Sequence, residues 1–192
     1  MSTLEKAIQY SRNSFANGEF IQRLSSLIEI ITDSKGSVSA KVLREYYTKG
    51  LFDIFEELRI KSKIIDNPIN DKPPFLIGSR IESPEYKTIL LYGHGDTVPL
   101  QTGDWYEGIN PSELKVIGDK IYGRGVADNK GQHFINLMAL LSVLKTKKKL
   151  GFNLKLIFEM GEEIGSPGLF ELCELYKEDL KSDVLIASDG PR

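Results

Sequence analysis

Two short apolar segments constrain the fold of this chain more than any other feature. Residues 88–92 and 184–187 are apolar without the alternation that a half-buried strand shows. Such runs are typical of strands that are covered on both faces, as in a parallel sheet between layers of helices. The sequence therefore predicts an α/β domain with three layers, αβα, around a mostly parallel central sheet.

Other segments fit the same architecture. Strands are predicted near residues 60–65, 74–81, 87–92, 114–122, 152–159 and 183–188, and helices near 130–146 and 167–178. Before residue 60, apolar residues recur at helical spacing over 20–31 and again over 43–58, which predicts two helices.

Length and charge indicate one domain that acts on a small partner. The chain has 192 residues, of which 41% are hydrophobic, and this is enough for one sizeable core. Its 25 Lys and Arg residues nearly balance its 27 Asp and Glu residues. This balance argues against a nucleic-acid surface and against a polybasic membrane patch, so a small or neutral substrate is expected.

The amino-terminal segment and the single cysteine favour a cytoplasmic protein. Residues 1–20 contain scattered charges and no apolar core of a secretory signal, and no later run reaches membrane-spanning length. Cys173 has no second cysteine to pair with. Its place on the predicted helix 167–178 favours a buried structural thiol over a nucleophile.

Acidic and imidazole side chains follow the predicted strands, and one precedes a predicted helix. They are His94, Asp96, Asp128, Glu162, Glu163 and Asp189. In open α/β sheets, ligands bind beyond the carboxyl ends of the strands, so these side chains are expected to lie at one edge of the sheet. The sequence therefore predicts a site for a divalent metal at this edge.

Each of these residues alone also has an ordinary structural interpretation. Acidic residues are common in turns and at helix starts, and His94 alone could be a core histidine. The adjacent residues Glu162 and Glu163 are harder to explain in this way, since they would repel each other unless a cation or a proton compensated them. The combination favours the metal site.

Three sequence blocks resemble the signature segments of the M20 metallopeptidases. They are HGDTVP at 94–99, YGRG at 122–125 with DNKG at 128–131, and GEEIGSPG at 161–168. The family includes dipeptidases, carnosinase-like enzymes and deacylases of N-acyl amino acids. The resemblance extends over about residues 85–192, and the helices before it are compatible with the family.

The resemblance implies a site for two zinc ions, with manganese or cobalt as alternatives. His94 and Asp189 would bind one ion, Glu163 would bind the other, and Asp128 would bridge the two. An imidazole with several carboxylates suits catalytic zinc, and the oxygen-rich ligand set also suits the alternatives.

The resemblance also implies the reaction, which is hydrolysis of the amide bond of a dipeptide or an N-acyl amino acid. Glu162 would be the general base that takes a proton from the attacking water. Asp96 would hold the imidazole of His94 in the tautomer that binds metal. A cis peptide bond is expected between Asp128 and Asn129.

Members of the M20 family are much longer than this chain, and the resemblance therefore implies that residues 1–192 are the amino-terminal portion of a catalytic domain. A lid or dimerisation domain and the rest of the catalytic domain, with a last ligand histidine, would be absent. His133 is the only other histidine, and we expect it at a surface or half-buried position rather than as a ligand. Little or no hydrolysis and some self-association through an uncovered sheet edge are expected.

The alternative is a non-catalytic structural or interaction module on the same fold. Such a module would bind no zinc and would have lost at least one of the paired acids. Both Glu162 and Glu163 are present, which favours descent from an active enzyme.

Overall fold

A computed structural model describes residues 1–36 and 38–189 of the chain. A five-stranded sheet lies at the centre of the fold. The helices are α1 (Thr3–Ala16), α2 (Glu19–Ile28), α3 (Ala40–Glu45), α4 (Phe52–Leu58), α5 (Lys130–Lys147), α6 (Leu169–Leu175) and α7 (Lys177–Leu180). The strands are β1 (Lys61–Ile65), β2 (Phe75–Arg80), β3 (Thr88–His94), β4 (Lys115–Ile117), β5 (Lys120–Tyr122), β6 (Asn153–Glu159) and β7 (Val184–Ala187). A π-helical turn (Tyr46–Gly50) lies between α3 and α4, and a short 3-10 helix (Glu162–Ile164) follows β6.

The central sheet has the strand order β1-β2-β6-β3-β7. Strand β3 pairs in parallel with both β6 and β7, whereas β2 is antiparallel to both of its neighbours, β1 and β6. All the strands of this sheet except β2 therefore point in the same direction. The predicted α/β fold with a mostly parallel central sheet is confirmed.

Side chains alternate between the two faces of the sheet along each strand, so the core consists of two hydrophobic clusters, one on each face. On one face of the sheet, Leu76 and Leu156 pack in a cluster with residues of α2, α4 and α5. On the other face, Ile77 and Ile157 pack against Leu172 of α6 and Leu180 of α7. Helices thus cover both faces, as the prediction of three layers requires.

The single helix predicted over 43–58 is divided into α3, the π-helical turn and α4, and two further local predictions differ from the structure. The strand predicted over 114–122 is a hairpin of β4 and β5 outside the central sheet, and its turn contains Gly118 with φ of 62°. Glycine adopts this left-handed conformation without steric cost, so the chain reverses there. Helix α1 was not predicted, because only Ala7 and Ser14 of it are buried and its apolar pattern is weak.

Strand β7 lies at an edge of the described sheet. Val184 and Leu185 on this strand are 50% and 62% exposed, so the expectation that residues 184–187 are covered on both faces was wrong. The predicted self-association depends on such an edge and stays a prediction, as does the cytoplasmic location. Among the described residues, no helix is both long enough and apolar enough to cross a membrane.

Candidate metal centre

The carboxyl ends of the parallel strands converge at one edge of the sheet. In the register of the sheet, His94 at the end of β3 lies opposite Glu159 at the end of β6. Tyr92 of β3 lies opposite Ala187, the last residue of β7. The loops that leave these three strands therefore begin side by side, and the loop that leads into α5 joins them.

Three carboxylates face the same nitrogen of His94. The distance from His94 Nε2 is 3.1 Å to Asp128 Oδ1, 3.5 Å to Asp189 Oδ2 and 3.8 Å to Glu162 Oε2. One ligand atom from each of His94, Glu162 and Asp189 lies within 4.8 Å of the other two. The structure thus brings together residues that are far apart in the sequence and that were predicted to meet at one edge of the sheet.

The imidazole forms the floor of this cluster and the carboxylates form its rim. The side chain of His94 is fully buried, whereas the side chains of Asp128, Glu162 and Asp189 are 52%, 38% and 28% exposed. A cation or a small substrate can therefore reach the carboxylates from solvent.

Asp96 is buried behind His94 and connects it to the paired glutamates. Its Oδ1 lies 3.3 Å from His94 Nδ1, and its backbone carbonyl lies 3.1 Å from the same nitrogen. Its two carboxylate oxygens accept the backbone N–H groups of Glu162 and Glu163, at 3.2 and 3.1 Å. Since both neighbours of Nδ1 are acceptors, this nitrogen carries a hydrogen, and the lone pair of neutral His94 is on Nε2.

The paired glutamates differ in their positions. The carboxylate of Glu162 belongs to the compact group with His94 and Asp189. Glu163 is next to it on the short 3-10 helix, and the charge of Asp128 acts on its carboxyl. The assignment of Glu163 as ligand and Glu162 as base stays a prediction.

Crowding of like charges perturbs the titration of the cluster. Burial raises the pKa of Glu162, and the charge of Asp189 raises it further. Burial also raises the pKa of Glu163, with a further contribution from the charge of Asp128. The charge of His94 lowers both pKa values. Burial alone would lower the pKa of His94, but the hydrogen bond and charge of Asp96, followed by the charge of Asp189, raise it to about 9. A divalent cation would relieve this repulsion and would replace the proton on His94, so the donor set fits a metal ion.

Asn129 and His133 at the start of α5 belong to the site, although their part in it was not predicted from the sequence. His133 is fully buried, so the expectation of a surface or half-buried position was wrong. Burial lowers its pKa to about 3. The two residues are four positions apart and therefore share one face of the helix, and this spacing was the available signal. The peptide bond between Asp128 and Asn129 is cis, as the family resemblance implied.

Lys130 links the start of α5 to the end of α2 through hydrogen bonds. Its buried ammonium group donates hydrogen bonds to the carbonyls of Leu27 and Ile30, at 3.0 and 2.7 Å. It also lies 5.2 Å from the centre of the Tyr46 ring. Burial lowers the pKa of Lys130 to about 7. The lysine therefore supports the helix that carries the site and does not reach the carboxylates at the rim.

An α/β fold that gathers an imidazole and carboxylates at the carboxyl ends of parallel strands is typical of metal-dependent hydrolases. Residues 90–191 match the sequence profile of peptidase family M20/M25/M40, and the chain belongs to this family. The family expected from the three sequence blocks is thus confirmed.

Relatives and a solved structure agree with this family. The chain is 31% identical over 200 residues to the Beta-Ala-His dipeptidase of Homo sapiens, with 97% of this chain and 38% of the relative covered. It is 33% identical over 169 residues to the Cys-Gly metallodipeptidase DUG1 of Candida albicans, with 80% and 34% covered. The crystal structure of human carnosine dipeptidase 1 matches with a TM-score of 0.85 at 29% identity, over 100% of this chain and 42% of that one. The chain spans between 34% and 42% of the length of these relatives.

Proposed function

We propose that this chain carries the amino-terminal part of the active site of a metal-dependent dipeptidase. The observation that supports the proposal best is the group of His94, Asp128, Glu162 and Asp189, whose carboxylate oxygens lie 3.1 to 3.8 Å from one imidazole nitrogen. The names of the similar proteins support the class of reaction, since they describe dipeptidases.

Four residues would hold two divalent ions in this proposal. His94 and Asp189 would bind one ion, Glu163 would bind the other, and Asp128 would bridge them. Zinc suits these ligands, with manganese or cobalt as alternatives. Such ions lower the pKa of bound water and polarise the carbonyl of the substrate.

Glu162 would transfer the proton in the reaction. It would take a proton from the attacking water and give it to the nitrogen of the leaving group. Burial and the nearby acids raise its pKa, which favours uptake of the proton from water. Asp96 would hold the hydrogen of His94 on Nδ1, so that Nε2 stays free to bind metal.

A dipeptide is the substrate that the comparisons favour. Similar proteins are named for Beta-Ala-His and for Cys-Gly. An N-acyl amino acid contains the same amide bond beside a carboxylate and is the second candidate. The chain covers 38% of its human relative, so we expect that the 192 residues bind metal weakly and hydrolyse peptides slowly or not at all.

Metal binding to the purified chain tests the proposal directly. We expect that Zn²⁺ and Co²⁺ bind in calorimetric titrations at pH 8, and that His94→Ala abolishes binding. Glu162→Gln should leave metal affinity largely intact, since this residue is proposed as the base, and should remove any hydrolysis of β-Ala-His or Cys-Gly.

Three results would contradict the proposal. Absence of metal binding by the wild-type chain would favour the non-catalytic module. Loss of metal from Glu162→Gln would contradict the assignment of the base. Efficient hydrolysis by the 192-residue chain would overturn the expectation that it lacks part of the site.

A further inference from the structure

His133 lies directly behind the candidate metal centre, in the core. Its ring is fully buried and lies 4.9 Å from the ring of Phe158, centre to centre. Its Nδ1 is 3.2 Å from Asn129 Oδ1, and its Nε2 is 2.6 Å from the hydroxyl of Tyr46. The proposed function assigns no role to His133 or to Tyr46, although both lie close to the segment that carries His94.

The orientation of the Asn129 amide determines which nitrogen of His133 carries the hydrogen. Nδ2 of Asn129 faces the carbonyl of Ser188 at 2.8 Å and must donate to it. Oδ1 of Asn129 accepts the backbone N–H of His94 at 3.3 Å. Because Oδ1 can only accept, His133 donates from Nδ1, and in the neutral ring Nε2 accepts the hydrogen of Tyr46.

The Asn129 side chain contacts or adjoins three of the four predicted ligand segments. It bonds the backbone of His94, it follows Asp128 in the sequence, and it bonds the carbonyl of Ser188, the residue before Asp189. A rotation of this amide would break its bonds to two strand ends. Its orientation therefore affects the positions of several ligands together.

Close packing holds the same segment against His133 and Tyr46. A Cβ atom on Gly93 would lie 2.7 Å from the Cβ of His133. A Cβ atom on Gly95 would lie 2.6 Å from a carbon of the Tyr46 ring. Glycine on both sides of His94 is therefore what allows the two aromatic side chains to reach the backbone.

We propose that Tyr46, His133 and Asn129 form a hydrogen-bonded chain that positions the ligand segments of His94, Asp128 and Asp189. All three are positioning residues, since they act through their neighbours. The role in metal binding rests on the proposed function, whereas the hydrogen-bonded chain itself can be tested without metal. Groups that orient metal ligands commonly change metal affinity by 10- to 100-fold when they are lost.

The first test is the tautomer of His133 in the metal-free protein. The chain has 2 histidines, so long-range ¹H–¹⁵N spectra of labelled protein should show two imidazole patterns, and the pattern missing from His133→Asn identifies His133. We expect the hydrogen on Nδ1. A hydrogen on Nε2 alone would mean that Asn129 and Tyr46 are not joined through this ring, and the proposal would fail.

The second test is metal affinity. His133→Leu fills the buried space with an apolar side chain but removes the donor to Asn129. We expect Co²⁺ affinity to fall by about 10-fold or more. His133→Asn can place an amide N–H near the position of Nδ1, so it should restore most of the affinity. Tyr46→Phe removes only the bond to Nε2 and should cost less than His133→Leu.

Ser142→Ala is the matched control on the same helix. Ser142 is buried and its hydroxyl bonds the carbonyl of Met138 and the hydroxyl of Ser11, at 2.7 and 2.8 Å. Its loss should lower the free energy of unfolding without changing Co²⁺ affinity. If His133→Leu does not fold, the comparison of Tyr46→Phe with Ser142→Ala replaces it. Equal Co²⁺ affinity in the positioning variants and this control would overturn the proposal.

The two tests separate this inference from the proposed function. If the wild-type chain binds no Co²⁺, the proposed metal site fails and the positioning role fails with it, while the tautomer still shows whether the hydrogen-bonded chain exists. If the wild type binds Co²⁺ and the His133 variants bind it equally well, only the present inference is wrong.

Discussion

Replacing Asp96 with asparagine should reveal how strongly this buried carboxylate joins His94 to the paired glutamates. An amide keeps one acceptor oxygen and presents an NH₂ group where the other oxygen was. One of the backbone N–H groups of Glu162 and Glu163 would then face a donor instead of an acceptor. The variant keeps the shape of the side chain, so packing in the core should change little.

The expected magnitude has two parts. A hydrogen bond to a charged group contributes about 1.5 to 3 kcal/mol, and a buried N–H without a partner costs a similar amount, so we expect a loss of about 3 kcal/mol in the free energy of unfolding. The second part comes from His94, whose pKa is raised to about 9 from 6.5. A raised pKa stabilises the fold fully below pH 6.5, and this contribution is lost as the pH rises through 9. Asp96 is the largest of the groups that raise this pKa, so most of the contribution should disappear without it, at about 1.4 kcal/mol for each unit of pKa that is lost.

Urea unfolding with a chelator present, at pH 6.5 and at pH 9.5, measures both parts. The destabilisation should be larger at pH 6.5, by roughly 2 to 3 kcal/mol. Asp183→Asn is the matched control, because Asp183 also accepts a backbone N–H, from Thr88 at 2.8 Å, but its side chain is 40% exposed. Because the side chain of Asp183 is exposed, we expect the control to cost much less than Asp96→Asn, and the same at both pH values. Equal losses for Asp96→Asn at the two pH values, or a loss no larger than that of the control, would show that Asp96 does not hold His94 and the paired glutamates together.

Two further predictions concern the backbone beside His94 and the competition between metal and protons for the His94 ring. Gly95→Ala places a Cβ 2.6 Å from the Tyr46 ring and should lower the free energy of unfolding by about 1 to 3 kcal/mol in urea titrations. Gly103→Ala, where no atom lies within 4 Å of the added Cβ, should change it by less than about 0.5 kcal/mol, and equal effects would contradict the steric argument. Because His94 with a pKa of about 9 must lose a proton to bind metal, Co²⁺ affinity should rise about tenfold per pH unit between pH 7 and pH 8.5. An affinity independent of pH in calorimetric titrations would exclude His94 as a ligand.

The central sheet and the family could be predicted from local sequence patterns. The unbroken apolar run at 88–92 indicates a strand covered on both faces, and it forms most of β3. The acidic residues that follow the strands could be placed at one edge because parallel strands end there together. The hairpin at 115–122 was missed, since a single glycine turn divides a segment whose composition otherwise fits one strand.

The part that His133 and Asn129 take in the site depends on packing between distant segments. The sequence shows a histidine early on a helix, and its burial depends on Tyr46, which is 87 residues away in the chain. The orientation of Asn129 likewise depends on the carbonyl of Ser188, 59 residues away. Local sequence is enough to show which side chains are available to bind metal and in which loops they lie. Their spacing and protonation depend on contacts between distant segments, because burial and hydrogen-bond partners arise only when the strands and α5 pack together.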